Sequence, residues 1–345
     1  MTIQKNRIYD FLEEASKKSG ISEVIINRND NVFVEKDGEM IKIDSKFSDE
    51  EIDNFCNDLA NYNRKEFNPE NPILDGNLPD GSRINIIHRD YTNTSHVITI
   101  RRYAKNIKTL DSAPGIFGLN RHWVEFLKVL VKSRSNVVVS GGTGVGKTTF
   151  LNLLLQEIPT KERVITIEDT RELQFSLPNV VRLEARPRST DQKGLSIRDL
   201  LKNTLRMRPD RIIVGEVRGG EVFDLLQAMN TGHEGSMTSV HANSPGECLL
   251  RLENLYFLSG YDLPIKALRY QISNAIDFII QIKRDKNGVR LIHQVTEVSG
   301  MEGDRILLQD IGFQKDAGLS FTGLVPASFQ KLQKAGLSKE FFINT

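Results

Sequence analysis

The sequence predicts an α/β protein in two domains: a small N-terminal α/β domain over residues 1–103, a connecting stretch at 104–118, and a larger α/β domain with a mostly parallel sheet over 119–345. Two observations predict the larger domain. Short, wholly apolar runs alternate there with helical patterns, as strands covered on both faces do. A glycine-rich loop also joins one of those runs to a helix. In the first hundred residues, apolar and polar residues instead alternate along the strands.

The elements follow in chain order. "MTIQKNRIYDFLEEASKK" reads as a short polar helix without the apolar core of a secretory signal. "EVIINRNDNVFVEKDGEMIKI" alternates in polarity, with Asp37-Gly38 where a hairpin turn belongs. Ser48 caps a helix over "SDEEIDNFCNDLANYN", with Glu51 three residues on. "LPDGSRINIIHRD" and "HVITIRRY" are two more strands, the first preceded by a Pro-Asp-Gly turn. "AKNIKTLDSAPGIFGLN" is loop-like. "RHWVEFLKVLVKS" is an amphipathic helix, "NVVVS" a buried strand, and "TTFLNLLLQEI" a helix stopped by Pro159. "RVITIED" and "DRIIVGE" are further apolar strands.

Composition narrows the function. Lys and Arg number 46 and Asp and Glu 45, a formal net charge of +1. That argues against a basic nucleic-acid coat, and no nucleic-acid partner is expected. Cys56 and Cys248 make neither a disulfide framework nor a metal-binding spacing, which suits a reducing cytosol. No stretch approaches the ~18 apolar residues of a membrane span. The expected location is therefore cytoplasmic, with membrane association only through a partner.

Gly141, Gly146, Lys147 and Thr148 satisfy the pattern G-x-x-x-x-G-K-S/T. Glycines permit positive φ, so successive backbone N–H groups can point at one anion. The loop Gly141-Gly142-Thr143-Gly144-Val145-Gly146 follows a strand and opens a helix whose positive end faces the same charge. Lys147 adds a full charge at the β- and γ-phosphates, and the Thr148 hydroxyl, beside Thr149, is placed to ligate Mg²⁺. The loop is predicted to hold a nucleoside triphosphate.

Hydrolysis needs carboxylates near the metal and water. "VITIED" ends in Glu168 and Asp169, and "RIIVGE" ends in Glu216. Parallel strands would bring both tips to the phosphate loop's edge. Glu216 lies one residue past the usual aspartate position, which Gly215 fills. Metal contact is thus expected from Glu216 through water, or from Glu168, with either as the base. His233 and His241 lie in a run of small residues and lack a zinc spacing; each is a candidate sensor of the γ-phosphate. Arg101 and Arg102 end the last strand of the first domain, Arg83 lies on the preceding strand, and Arg218 follows Glu216; arginines are the usual partners of transferring phosphoryl groups.

"VITIEDTRELQ", "PNVVRLEARP", "IRDLLKNTLRMRPDRIIVGEVRGGEVFDLLQAMNTGHEGS" and "VHANSP" resemble the secretion-ATPase superfamily of type II and type IV machines. Within it, "RYQISNAIDFIIQIKRDKNGVR", "VTEVSGMEG" and "FTGLVP" resemble the CpaF-type ATPases of tight-adherence (Tad/Flp) pilus systems. The resemblance implies a RecA-like ATPase domain behind a PAS-like N-terminal domain. It makes "GGTGVGKTT" the Walker A loop, "TIEDTRE" an Asp box, "IIVGEVRG" an atypical Walker B and "TGHEGSMTSVHA" a His box. It places the nucleotide between the domains, with Arg83, Arg101 and Arg102 on the phosphates. It further implies Mg²⁺ and ATP as ligands and a homo-hexameric ring docked under an inner-membrane platform protein. A type IV secretion channel, a nucleic-acid translocase and a nucleotide-gated scaffold are the alternatives.

Overall fold

The computed structural model describes residues 6–18, 20–36, 39–92, 94–102, 109–111, 117–186, 194–315 and 318–343. The chain divides into two units, Met1–Asn106 and Ile107–Thr345.

In the first unit, α1 (Arg7–Lys17) starts at Asn6, whose side chain accepts the Ile8 N–H at 3.0 Å. Strands β1 (Ile21–Arg28), β2 (Asn31–Lys36) and β3 (Glu39–Ile43) precede α2 (Asp49–Asn63). The Asp37-Gly38 turn lies outside the described residues. Ser48 caps α2 as expected: its side chain accepts the Glu51 N–H at 3.1 Å, and Glu51 accepts the Ser48 N–H at 2.8 Å. Strands β4 (Ile73–Asn77), β5 (Arg83–Ile87) and β6 (Val97–Arg101) complete a six-stranded sheet in the order β3-β2-β1-β6-β5-β4. Every pairing is antiparallel. Alternation puts Val24, Ile26, Ile84, Ile86, Ile98 and Ile100 against Ile52, Phe55 and Leu59 of α2. Each such side chain contributes about 1.5–3 kcal/mol by leaving water.

The second unit contains α3 (Arg121–Lys132), β7 (Val137–Gly141), α4 (Lys147–Leu155), β8 (Val164–Glu168), β9 (Val180–Glu184), α5 (Ile197–Thr204), β10 (Arg211–Val214), α6 (Glu221–Asn230) and β11 (Met237–Val240). After these come α7 (Pro245–Phe257), α8 (Ile265–Ala275), β12 (Phe278–Arg284), β13 (Arg290–Glu302), β14 (Arg305–Lys315), β15 (Gly318–Phe321), α9 (Phe329–Lys334) and α10 (Glu340–Ile343). The sheet order is β15-β14-β13-β12-β7-β11-β10-β8-β9. From β12 to β9 every pairing is parallel, and β13 to β15 add an antiparallel meander.

Burial on both sheet faces explains the continuous apolar strands. Val137 and Val139 face a core with Trp123, Phe126 and Phe150, while Val138 faces a second core with Leu226, Leu252 and Ile272. Trp123 stacks on Phe321 at 3.7 Å and donates its indole N–H to the Leu319 carbonyl at 2.8 Å. The described residues of the stretch read as a connector pack into this unit: Leu110 and Phe117 enter its core, and Asp111 pairs with Lys128. Both cysteines are free and buried. No helix among the described residues is long and apolar enough to cross a membrane.

Arg211, at the start of β10, is fully buried. Its guanidinium forks onto Glu162, Nε to Oε2 at 2.6 Å and Nη2 to Oε1 at 3.2 Å. A Cβ on Gly235 would stand 2.6 Å from Arg211 Nη1, so a glycine gives that arginine its room. Removing one partner of a buried pair strands the other charge. Glu162→Ala is expected to destabilise this unit by about 3–5 kcal/mol, read as a lowered urea midpoint, and Glu162→Gln by less.

Candidate nucleotide site

Strand β7 delivers the phosphate loop. A Cβ on Gly141 would lie 2.8 Å from the Ile282 carbonyl oxygen and 2.7 Å from Val145 Cγ2, so only glycine fits. Gly144 and Gly146 adopt φ of +71° and +99°, which glycine takes without steric cost. Between them Val145 turns inward, while Gly142 is half-buried and Thr143 exposed. No side chain caps α4, so its positive end is left to the loop. Thr148 and Thr149 stand on its first turn.

Lys147 is buried beneath the loop. Its Nζ donates to the carbonyls of Gly141 at 3.0 Å and Gly142 at 2.9 Å, and lies 3.1 Å from His241 Nδ1. His241 Nε2 is 2.9 Å from Glu216 Oε1. Burial, then the Lys147 ammonium, lower the His241 pKa and keep the ring neutral. A proton on Nε2 satisfies both neighbours: the ring accepts from Lys147 and donates to Glu216. Glu216 Oε2 accepts from Arg218 Nη2 at 2.9 Å, and Arg218 Nη1 lies 3.6 Å from Asp169 Oδ2. One polar chain thus crosses the tips of β7, β11, β10 and β8.

Glu168 differs from Glu216. It is 3% exposed, against 20% for the Glu216 side chain. Its Oε1 accepts the N–H groups of Glu172 at 2.8 Å and Leu173 at 2.9 Å, while its Oε2 is buried without a partner. A Cβ on Gly215 would be 3.0 Å from Glu168 Cγ. Glycine stands at the usual aspartate position because Glu168 packs across it.

The remaining candidates separate. His233 precedes β11 and His241 follows it, so they stand at opposite ends of a strand whose four residues are buried. At about 3.3 Å per residue, that strand alone holds them more than about 10 Å apart. The structure separates the two candidate sensors: among the described residues His241 reaches Lys147, and His233 stands at the other end of β11. Arg83 and Arg101 pair across β5 and β6, with Glu23 opposite Arg101 on β1. Arg102 Nη1 donates to the Ala15 carbonyl at 2.7 Å, and this bond ties α1 to the sheet.

Other residues at the loop went unread in the sequence. Gln281 lies beside Ser140 in the β12–β7 register and donates to the Ala242 carbonyl at 3.2 Å. Arg284 Nη2 donates to the Gly144 carbonyl at 2.9 Å. The Phe117 ring would meet a Cβ on Gly146 at 3.1 Å. Gln281 and Arg284 lie inside the quoted run Arg269–Arg290, whose apolar Phe278–Ile280 marks a strand without naming its neighbour.

Comparison with known proteins gives the family. Residues 8–304 match the family of type II/IV secretion system proteins. A putative conjugal transfer protein of Mycobacterium tuberculosis is 32% identical over 300 residues, covering 85% of each chain. The conjugal transfer protein TrbB of Rhizobium radiobacter is 33% identical over 293 residues, 83% of this chain and 85% of that one. Among solved structures, the ADP-bound pilus retraction motor PilT superposes with a TM-score of 0.61 at 21% identity, covering 84% of this chain and 81% of that one. That likeness supports the RecA-like reading of the fold. The chain belongs to the type II/IV secretion system protein family.

Burial of Glu168 has a measurable consequence. Burial raises its pKa from 4.5 to about 7, against the two backbone N–H bonds that lower it. The folded protein therefore holds a proton there up to about pH 7, which the unfolded chain releases near 4.5. Stability is expected to fall as pH rises across that window, and Glu168→Gln to flatten the slope in urea titrations at stepped pH.

Proposed function

We propose, from this family membership, that the protein is an ATP-hydrolysing motor in which Glu216 is the base and Lys147 the principal phosphate cation. The observation that carries the reading is the Lys147–His241–Glu216 chain at the mouth of a glycine loop made for an anion. Of the two strand-tip glutamates, Glu216 is the one with solvent access. It accepts the proton of the water whose oxygen attacks the γ-phosphorus, while the bond to the β–γ bridging oxygen breaks and ADP departs. His241 orients Glu216. Glu168 holds the backbone of Glu172 and Leu173 and packs against Gly215, the residue before Glu216, and acts as a positioning residue.

Mg²⁺ fits the donor set. The Thr148 hydroxyl and the strand-tip carboxylates are hard oxygen ligands, and Glu168 Oε2, buried without a partner, becomes such a ligand once the carboxyl gives up its proton. Among the described residues no group of three or more His, Cys, Asp or Glu side chains forms a self-sufficient metal cage. An ion held jointly by these residues and nucleotide phosphates would supply charge neutralisation to phosphoryl transfer.

We assign the motor to a homo-hexamer working on an inner-membrane platform of a Tad/Flp-type pilus, on the C-terminal motifs quoted above. Arg83 and Arg101 are the first-unit arginines proposed to support phosphoryl transfer, with Arg102 committed to α1. A second reading, the ATPase of a type IV secretion channel, is favoured by the conjugal-transfer names of the relatives. Co-purification from the host membrane separates the two: a pilus platform protein supports the first, channel components the second.

Glu216→Gln is expected to bind ATP within about threefold of wild type yet turn over at least about 100-fold more slowly. Lys147→Ala is expected to lose ATP binding. Wild-type hydrolysis by Glu216→Gln would remove Glu216 from the base role.

A further inference from the structure

We propose that Arg218 is a two-position switch on the catalytic carboxylate, closed on Glu216 in the resting enzyme and passed to Asp169 during turnover. The inference rests on Glu216 being the base. Both oxygens of that carboxylate are engaged, Oε1 by His241 Nε2 and Oε2 by Arg218 Nη2, each at 2.9 Å. A carboxylate has about four lone-pair sites, so water can still approach Glu216, but only by sharing an oxygen with His241 or Arg218 until one of them leaves. The Arg218 side chain is 56% exposed, against 39% for that of His241. The arginine is the donor free to leave.

A destination is at hand. Asp169, at the tip of the neighbouring strand, presents Oδ2 3.6 Å from Arg218 Nη1, just beyond hydrogen-bond reach, and its side chain is 50% exposed. Glu172 adds negative potential at the guanidinium. Exposed guanidinium–carboxylate pairs are weak individually, so exchange between two acceptors costs little and a small change at the site can tip it.

The backbone confines the motion to the side chain. The N–H groups of Arg218 and Gly219 donate to Glu221 Oε1 at 2.7 Å and 2.8 Å. The Val217 N–H donates to the Ser239 carbonyl at 3.1 Å, and a Cβ on Gly220 would collide with the Ser259 backbone at 2.5 Å. The loop is clamped on both sides of the arginine. A guanidinium that swings from a fixed Cα can uncover Glu216 without disturbing β10.

A double-mutant cycle on the full chain tests the switch. Asp169→Asn removes the receiving position and is expected to lower kcat about tenfold, with the KM for ATP changed less than twofold and Asp169→Glu restoring activity. Arg218→Ala removes the mask and the exchange together, so Asp169→Asn added to it is expected to change kcat less than twofold. Arg218→Gln repeats the test with a longer side chain. An equal loss from Asp169→Asn in both backgrounds, a loss borne by KM, or a fall beyond tenfold in Arg218→Ala overturns the switch. A Glu216→Gln control reports separately on the base assignment. Crystal structures with and without a nonhydrolysable ATP analogue need no turnover: Arg218 is expected on Glu216 without nucleotide and on Asp169 with it, and an arginine on Glu216 in both overturns the proposal.

Discussion

The parallel register of the central strands is the constraint on which the site depends. Val138, Thr238, Val214 and Ile167 lie in one row across β7, β11, β10 and β8. Gly141 and His241 stand three residues beyond that row, Glu216 two and Glu168 one. A cation, a histidine and two carboxylates therefore share one edge of the sheet. A one-residue slip in any pairing would turn its side chains to the other face and break the chain from Lys147 to Asp169. The two cores that clamp the strands from both sides hold the register, so packing far from the phosphate loop sets the geometry of the chemistry.

Buried charge is matched at Arg211 and Glu297: Arg211 forks onto Glu162, and Glu297 accepts the N–H groups of Ala327 and Ser328 and the Ser328 hydroxyl. At the loop, Glu168 Oε2 and the neutral Gln281 Oε1 are buried without partners, as Tyr256 OH and Arg134 Nε are elsewhere among the described residues. Such atoms carry a desolvation cost, which the surrounding packing sustains. Unfilled acceptors beside a cationic, glycine-lined cradle suit a site completed by its ligand.

The first unit works on the opposite principle. Its antiparallel sheet packs one face on α2 and leaves the other wetter, so Arg83, Arg101 and Glu23 form a charged row across three strands. Arg102, one residue further, points to the helix side. Neighbours in sequence thus reach different surroundings because successive side chains alternate across a strand, and that alternation separates the arginine that fastens α1 from those on the outer face.

Local physics determined much of this protein in advance. The glycine loop between an apolar strand and a helix, the Ser48 and Glu51 cap, and the doubly buried strands all follow from φ preferences, orphan N–H groups and hydrophobic period. So did the likeness to secretion ATPases, because it rests on contiguous residues. The tertiary structure alone decided what depends on pairing between distant segments. It set His241 beside Lys147 and His233 at the far edge, put β12 next to β7 with Gln281 and Arg284 at the loop, packed Glu168 across Gly215, and gave Arg218 two carboxylates to choose between. Sequence spacing reports which side chains share a face of one element; which faces meet is settled by long-range packing, where each strand's neighbour is chosen by the whole core.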